Sequence, residues 1–147
     1  MSRFATISIH AALVLTAAFG AVGCQSLNRI PKFESALITP PQLRPGESAI
    51  IAANVNDHFG IVRKVEGVVV EDRRVKLRLL DDGVAPDEKA EDGIWTLKVD
   101  VPVQAPPGEF NLEIAAYDSK GLVVIVPGAD GAEAPLVTTC KLVIAAP

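Results

Sequence analysis

Two cysteines, two histidines and one tryptophan are all that 147 residues hold of the side chains that most often carry redox, metal and proton-transfer chemistry. With His10 near the start and His58 the only other, a multi-histidine metal centre lacks material. Asp57-His58 beside Ser48 or Ser119 could be drawn as a catalytic set, but no nucleophile elbow accompanies either serine, and His58 reads as a turn residue. No glycine-rich phosphate loop is present, because Gly128-Ala129-Asp130-Gly131 opens no helix. Beyond residue 24 the aromatics are Phe33, Phe59, Trp95, Phe110 and Tyr117, and strand parity turns Trp95 and Phe110 inward, so no row of rings is left for sugar stacking. Basic residues are also short: 14 Lys and Arg against 18 Asp and Glu give −4. That balance excludes nonspecific nucleic-acid binding.

What is present begins with an export segment. Met1-Ser2-Arg3 is a short positive start, Ala11 to Gly20 an apolar centre, and Ala21-Val22-Gly23 a small-residue end running into Cys24. The pattern resembles a bacterial lipoprotein precursor. That resemblance implies cleavage after residue 23, acylation of Cys24 and attachment to membrane lipid. Gln25 lacks the aspartate that signals inner-membrane retention in such proteins, which implies the outer membrane of a Gram-negative envelope. Phe4 to Gly23 is also just long enough for an uncleaved anchor, and a plain signal peptide is the third reading. With Cys24 acylated, Cys140 has no partner for an internal disulfide, and its parity with Leu142 and Ile144 makes it a buried small hydrophobe. The expected organisation is signal peptide 1–23, lipidated Cys and tether 24–33, and one folded domain 34–147. The 13 basic residues beyond Arg3 face 18 acidic ones, so the mature part carries −5.

From Ser48 onward, short alternating runs recur between Gly, Pro, Asn and Asp clusters, and no stretch has a 3.6-residue period. This predicts an all-β antiparallel sandwich of about seven to eight strands. Strands are expected over 48–56, 61–71, 74–80, 94–101, 109–118, 122–126 and 136–144, with an edge strand from Ser35 to Thr39. Val75, Leu77 and Leu79 should face inward on the third of these. Trp95, Leu97, Val99 and Val101 should face the core on the fourth, with Thr96, Lys98 and Asp100 in water.

The densest signal is residues 81–96, DDGVAPDEKAEDGIWT, with six acids and one lysine from Asp81 to Asp92. Such crowding suits a solvated loop or a hard cation that takes six to eight oxygens. Asp81, Asp82, Asp87 and Asp92 are the candidate Ca²⁺ ligands; the alternative is that these acids form Asx turns before glycines. Leu79, Asp81, Asp82, Gly83, then Asp87, Ala90, Asp92, Gly93, Trp95, Thr96, then Pro107, Gly108, Phe110, Leu112, Ile114, Ala116, Asp118, Gly121 together resemble the immunoglobulin-like "choice-of-anchor X" module of exported bacterial proteins. The resemblance covers residues 48–121. It implies an immunoglobulin-like, fibronectin III-like sandwich with a structural or adhesive role and no catalytic residue.

Parity places the turn 57–60, the loop 81–92 and the turn 118–121 at one end of the sandwich, together with the entry of the tether. Arg73, Arg74, Lys76 and Arg78 form a basic stripe that could dock an acidic partner. The functional expectation is a lipid-anchored, non-enzymatic envelope module that binds or braces another envelope protein. The alternative is a Ca²⁺-dependent adhesion or polysaccharide-binding module using loop 81–92.

Overall fold

The computed structural model describes residues 30–146; the expected signal peptide, Cys24 and the tether up to residue 29 lie outside the described residues. Ten strands form, and none of the described residues is helical: β1 Lys32–Thr39, β2 Gln42–Leu43, β3 Ser48–Asn56, β4 Lys64–Val69, β5 Lys76–Leu79, β6 Ile94–Asp100, β7 Gly108–Tyr117, β8 Ile125–Pro127, β9 Glu133–Pro135 and β10 Val137–Ile144. A three-stranded sheet, β1-β3-β6, packs on a five-stranded sheet, β2-β10-β7-β4-β5. Seven of these eight strands overlap expected ones; β2 is the eighth, and the strand expected over 122–126 is not part of either sheet, because only Ile125–Pro127 becomes a strand and it pairs with β9. The β8-β9 hairpin, inserted between β7 and β10, adds two more.

Alternation decides which side of each strand is buried. In β3, Ala49, Ile51, Ala53 and Val55 are buried; in β7, Leu112, Ile114 and Ala116 are buried and Phe110 packs against them. Val65, Leu79, Val101 and Ile144 complete the core from the remaining long strands and their ends. β1 is an edge strand, as its proline-terminated sequence suggests, with a bulge between Phe33 and Ser35.

Three further expectations need correction. The sandwich is not wholly antiparallel, because β2 pairs parallel with β10. Pro40-Pro41 ends β1, and the chain then crosses to the other sheet and runs alongside β10 in the same direction. Val75 is 42% exposed instead of inward, since it lies in the turn before β5, its N–H donating to the Asp72 carbonyl. Thr96, expected in water, is only 8% exposed. After β5 the chain leaves the five-stranded sheet, and Leu80 exchanges both backbone hydrogen bonds with Thr96, at 2.9 and 2.8 Å, covering the edge of β6.

Register fixes the ends of the sandwich. Lys32 lies opposite Asn56, Asn54 opposite Ile94, Val65 opposite Leu79, and Lys64 opposite Tyr117. The entry into β1, the turn 57–60, the loop 81–92 and the turn 118–121 therefore share one end.

Candidate functional site: the acidic end

Loop 81–92 is organised by its own carboxylates. Asp81 accepts hydrogen bonds from the backbone N–H groups of Asp92 and Gly93, at 3.2 and 2.9 Å, and so closes the loop across eleven and twelve residues. Asp87, 4% exposed, accepts from Gly83 at 2.6 Å and from Lys89 at 3.3 Å. Asp82 and Asp92 each accept from the N–H two residues on, at 2.9 Å, the Asx-turn geometry expected of Asp before a turn.

The glycines are required where they stand. Gly83 and Gly93 have φ of +71° and +87°. A Cβ on Gly93 would stand 2.6 Å from the Val55 carbonyl oxygen, and one on Gly83 would stand 2.9 Å from the Ala90 nitrogen.

The fold brings one carboxylate oxygen each from Asp81, Asp87 and Asp92 within 4.8 Å of one another. Asp82, the fourth candidate ligand, is outside that group. Three oxygens at this spacing can face one hard cation, which would need three or more further oxygens from water or carbonyls. The same carboxylates also accept backbone N–H groups, so hydrogen bonds of the loop to itself contribute to its closure.

Beside the loop, the end of the sandwich opens into a cleft of about 720 Å³. Its lining combines Glu34 of β1, Asn54 and Asn56 of β3, His58 and Arg63 after the turn, and Asp81, Glu91 and Asp92 of the loop, with Trp95 half-buried. Five carboxylates line it, counting Asp57, against Arg63 and His58. Glu34 accepts from the Asn56 side-chain amide at 2.8 Å, and that bond, with Lys32 beside it, holds its carboxyl below the ordinary carboxylate range. Asp57 fastens the turn by accepting from Val62 at 2.7 Å and Phe59 at 3.2 Å. Arg63 and Glu91 form no side-chain hydrogen bond or ion pair among the described residues. Glu34 and Arg63 carry no motif: the pairing of β1 with β3 sets Glu34 beside Asn56, and Arg63, whose N–H donates to the Tyr117 carbonyl, enters the cleft from just before the start of β4.

Of the basic stripe, Arg73 and Arg74 lie in the turn at the other end, while Lys76 and Arg78 run along β5 back toward the acidic loop. Arg74 is held by Asp72 through two 2.8 Å bonds, and the guanidinium drives the Asp72 carboxyl down to about 2. Arg73 stands 3.9 Å from Glu113, while Lys76 and Arg78 make no ion pair among the described residues. The turn thus neutralises Arg74, and β5 presents Lys76 and Arg78. Cys140 is half-buried against the core, and burial pushes its thiol up to about 11, so it is a weak nucleophile at neutral pH.

No known family model matches the chain, and no curated protein is found as a relative.

Proposed function

We propose that the protein is a lipid-anchored, non-enzymatic envelope module of immunoglobulin-like type, which binds another envelope protein through the cleft at its tether end. The strand order supports the fold assignment: β1-β3-β6 facing β10-β7-β4 has the A-B-E against G-F-C arrangement of such sandwiches. The observation that carries the function is the cleft itself. It is large enough to take a side chain cluster, it is lined by five carboxylates against one arginine and one histidine, and Trp95 gives it an aromatic wall. A basic segment of a partner, whose Lys or Arg would meet carboxylates and an indole together, fits that lining. A hydrolytic reading is disfavoured because the loop acids serve as hydrogen-bond acceptors for their own backbone.

The test is cross-linking in intact envelopes with benzoylphenylalanine in place of His58 at the cleft. One discrete protein adduct is expected, and it should be lost when Glu34→Lys and Glu91→Lys are introduced together. No adduct, or one indifferent to those changes, would overturn the reading.

A second reading rests on a specific observation, the three oxygens of Asp81, Asp87 and Asp92 within 4.8 Å. A Ca²⁺ ion there would stiffen the cleft wall and make partner or polysaccharide binding cation-dependent. Calorimetric titration with millimolar Ca²⁺ that gives no heat, together with an unchanged melting temperature, would dismiss it.

A further inference from the structure

The outer face of the three-stranded sheet carries an apolar patch that the core does not use. Register aligns Leu37, Ala52, Thr96 and Leu80 in one row across β1, β3, β6 and the paired Leu80. At the spacing of adjacent strands this row is about 14 Å long. Ala52 and Thr96 are its low floor, and Leu37 and Leu80, 61% and 41% exposed, are its walls. Ile50 and Ile94, each 41% exposed, stand on neighbouring rows of the same face. Contiguous exposed apolar surface of this kind marks a contact site, whereas scattered single residues do not.

We infer that this face lies against the membrane surface, so that the module rests flat on the bilayer and turns its five-stranded sheet outward. The inference rests on the anchored reading above. Two observations select lipid as the occupant. The chain reaches the fold from residues 1–29 and enters at β1, the edge strand of this same sheet; residues 25–31 between Cys24 and β1 span at most about 25 Å. Reach and charge then decide which surface meets the headgroups. The basic residues Lys76 and Arg78 stand on β5, the edge of the other sheet away from β10, beside which β1 and the tether entry pack. Loop 81–92 holds six acids against one lysine and would be repelled by anionic lipid, whereas the flat face has Lys32 and Lys98 balanced by Glu34 and Asp100 around its apolar centre.

The experiment uses the full chain in the envelope that matures it, with benzoylphenylalanine in place of Leu37, Ile50 or, on the opposite sheet, Arg78. Photolysis should give phospholipid adducts at 37 and 50 and none above background at 78, in variants whose melts match the parent. Adducts with a second copy or another protein at 37 and 50, or equal lipid labelling at all three positions, would overturn the flat orientation while leaving the anchor intact. Recovery of the chain from the soluble fraction without acyl mass on Cys24 would overturn the anchored reading and this inference with it. A further pair of chains carries benzoylphenylalanine in place of Ile94: it should label lipid in the parent background and lose that labelling when Leu37→Glu and Ile50→Glu are introduced together, and persistence of the labelling would count equally against the face.

Discussion

Asp87 is the one buried acid of the loop, and replacing it sets two effects of opposite sign against each other. Its carboxylate accepts at 2.6 Å from Gly83 and at 3.3 Å from Lys89. Hydrogen bonds to a charged acceptor contribute roughly 1.5–3 kcal/mol each, so the short one counts near the top of that range, the long one below it, and Asp87→Ala loses about 4 kcal/mol. Against this, the change removes repulsion from Asp81 and Asp92, whose nearest oxygens lie within 4.8 Å. Asp87 is buried, but Asp92 is exposed and Asp81 partly so, and with that solvent screening each pair is worth about 0.9 kcal/mol, so relief of both returns roughly 1.7 kcal/mol. The net expectation is a loss of about 2 kcal/mol, or a fall in Tm on the order of 8 °C for a domain of this size. Asp87→Asn keeps an oxygen for Gly83 while discarding the charge, so it should melt within about 2 °C of the parent. Thermal melts in chelator, followed by circular dichroism, give both values. Equal losses in the two variants would refute the claim that Asp87 acts as a backbone acceptor, because charge rather than hydrogen bonding would then hold the loop. Repeating the melts with millimolar Ca²⁺ also tests the cation reading, which requires a stabilising shift in the parent that both variants lose.

Gly93→Ala forces a side chain into a positive-φ position against the Val55 carbonyl, and should cost at least about 2 kcal/mol in denaturant unfolding; a variant as stable as the parent would contradict the close approach of the loop to β3. Thr96 buries a hydroxyl that has no partner among the described residues, so Thr96→Val should raise stability by about 1 kcal/mol, and destabilisation in the same assay would show that the hydroxyl is bonded. Asp72 should titrate by NMR near 2 instead of at its ordinary 3.8, and Arg74→Ala should move the midpoint up toward 3.8. Because the folded pKa is depressed, the Asp72–Arg74 contribution is complete above about 4 and disappears as pH falls through 2. Parent and variant stabilities should therefore converge below that pH.

The strands were legible wherever apolar and polar residues alternate without interruption. SAIIAANVN gives β3 at the expected bounds, and the alternation of FNLEIAA places Leu112, Ile114 and Ala116 in the core. Parity along those strands also foretold that the acidic loop, the Asp57 turn and the tether share an end. Alternation failed where the chain changes sheet. Thr96 reads as a solvent position because its neighbours on β6 are apolar, yet pairing with Leu80, sixteen residues earlier, buries it. The two-residue β2 and three-residue β9 are too short to have a period. Within the loop, acids before glycines offered Asx turns as the alternative to a cation, and Asp82 and Asp92 form them, but no pattern showed that Asp81 would bridge instead to Asp92 and Gly93, that Asp87 would be buried or that Asp82 would stand apart from the other three. Those outcomes depend on how the loop folds back on itself, and no local pattern encodes it. The cleft was the least legible feature, since Glu34 joins it only through the pairing of β1 with β3 and Arg63 only through the docking of β4 on β7.

The central claim is that Cys24 ties this sandwich to a membrane and that the acidic end works beside that anchor. The most direct measurement is the mass of the N-terminal peptide from protein extracted from the membrane fraction of cells making the full chain. The account predicts a mature chain beginning at Cys24 and carrying a diacylglyceryl group on its thiol. A chain that begins at any other residue, or one with Cys24 unmodified, would contradict it.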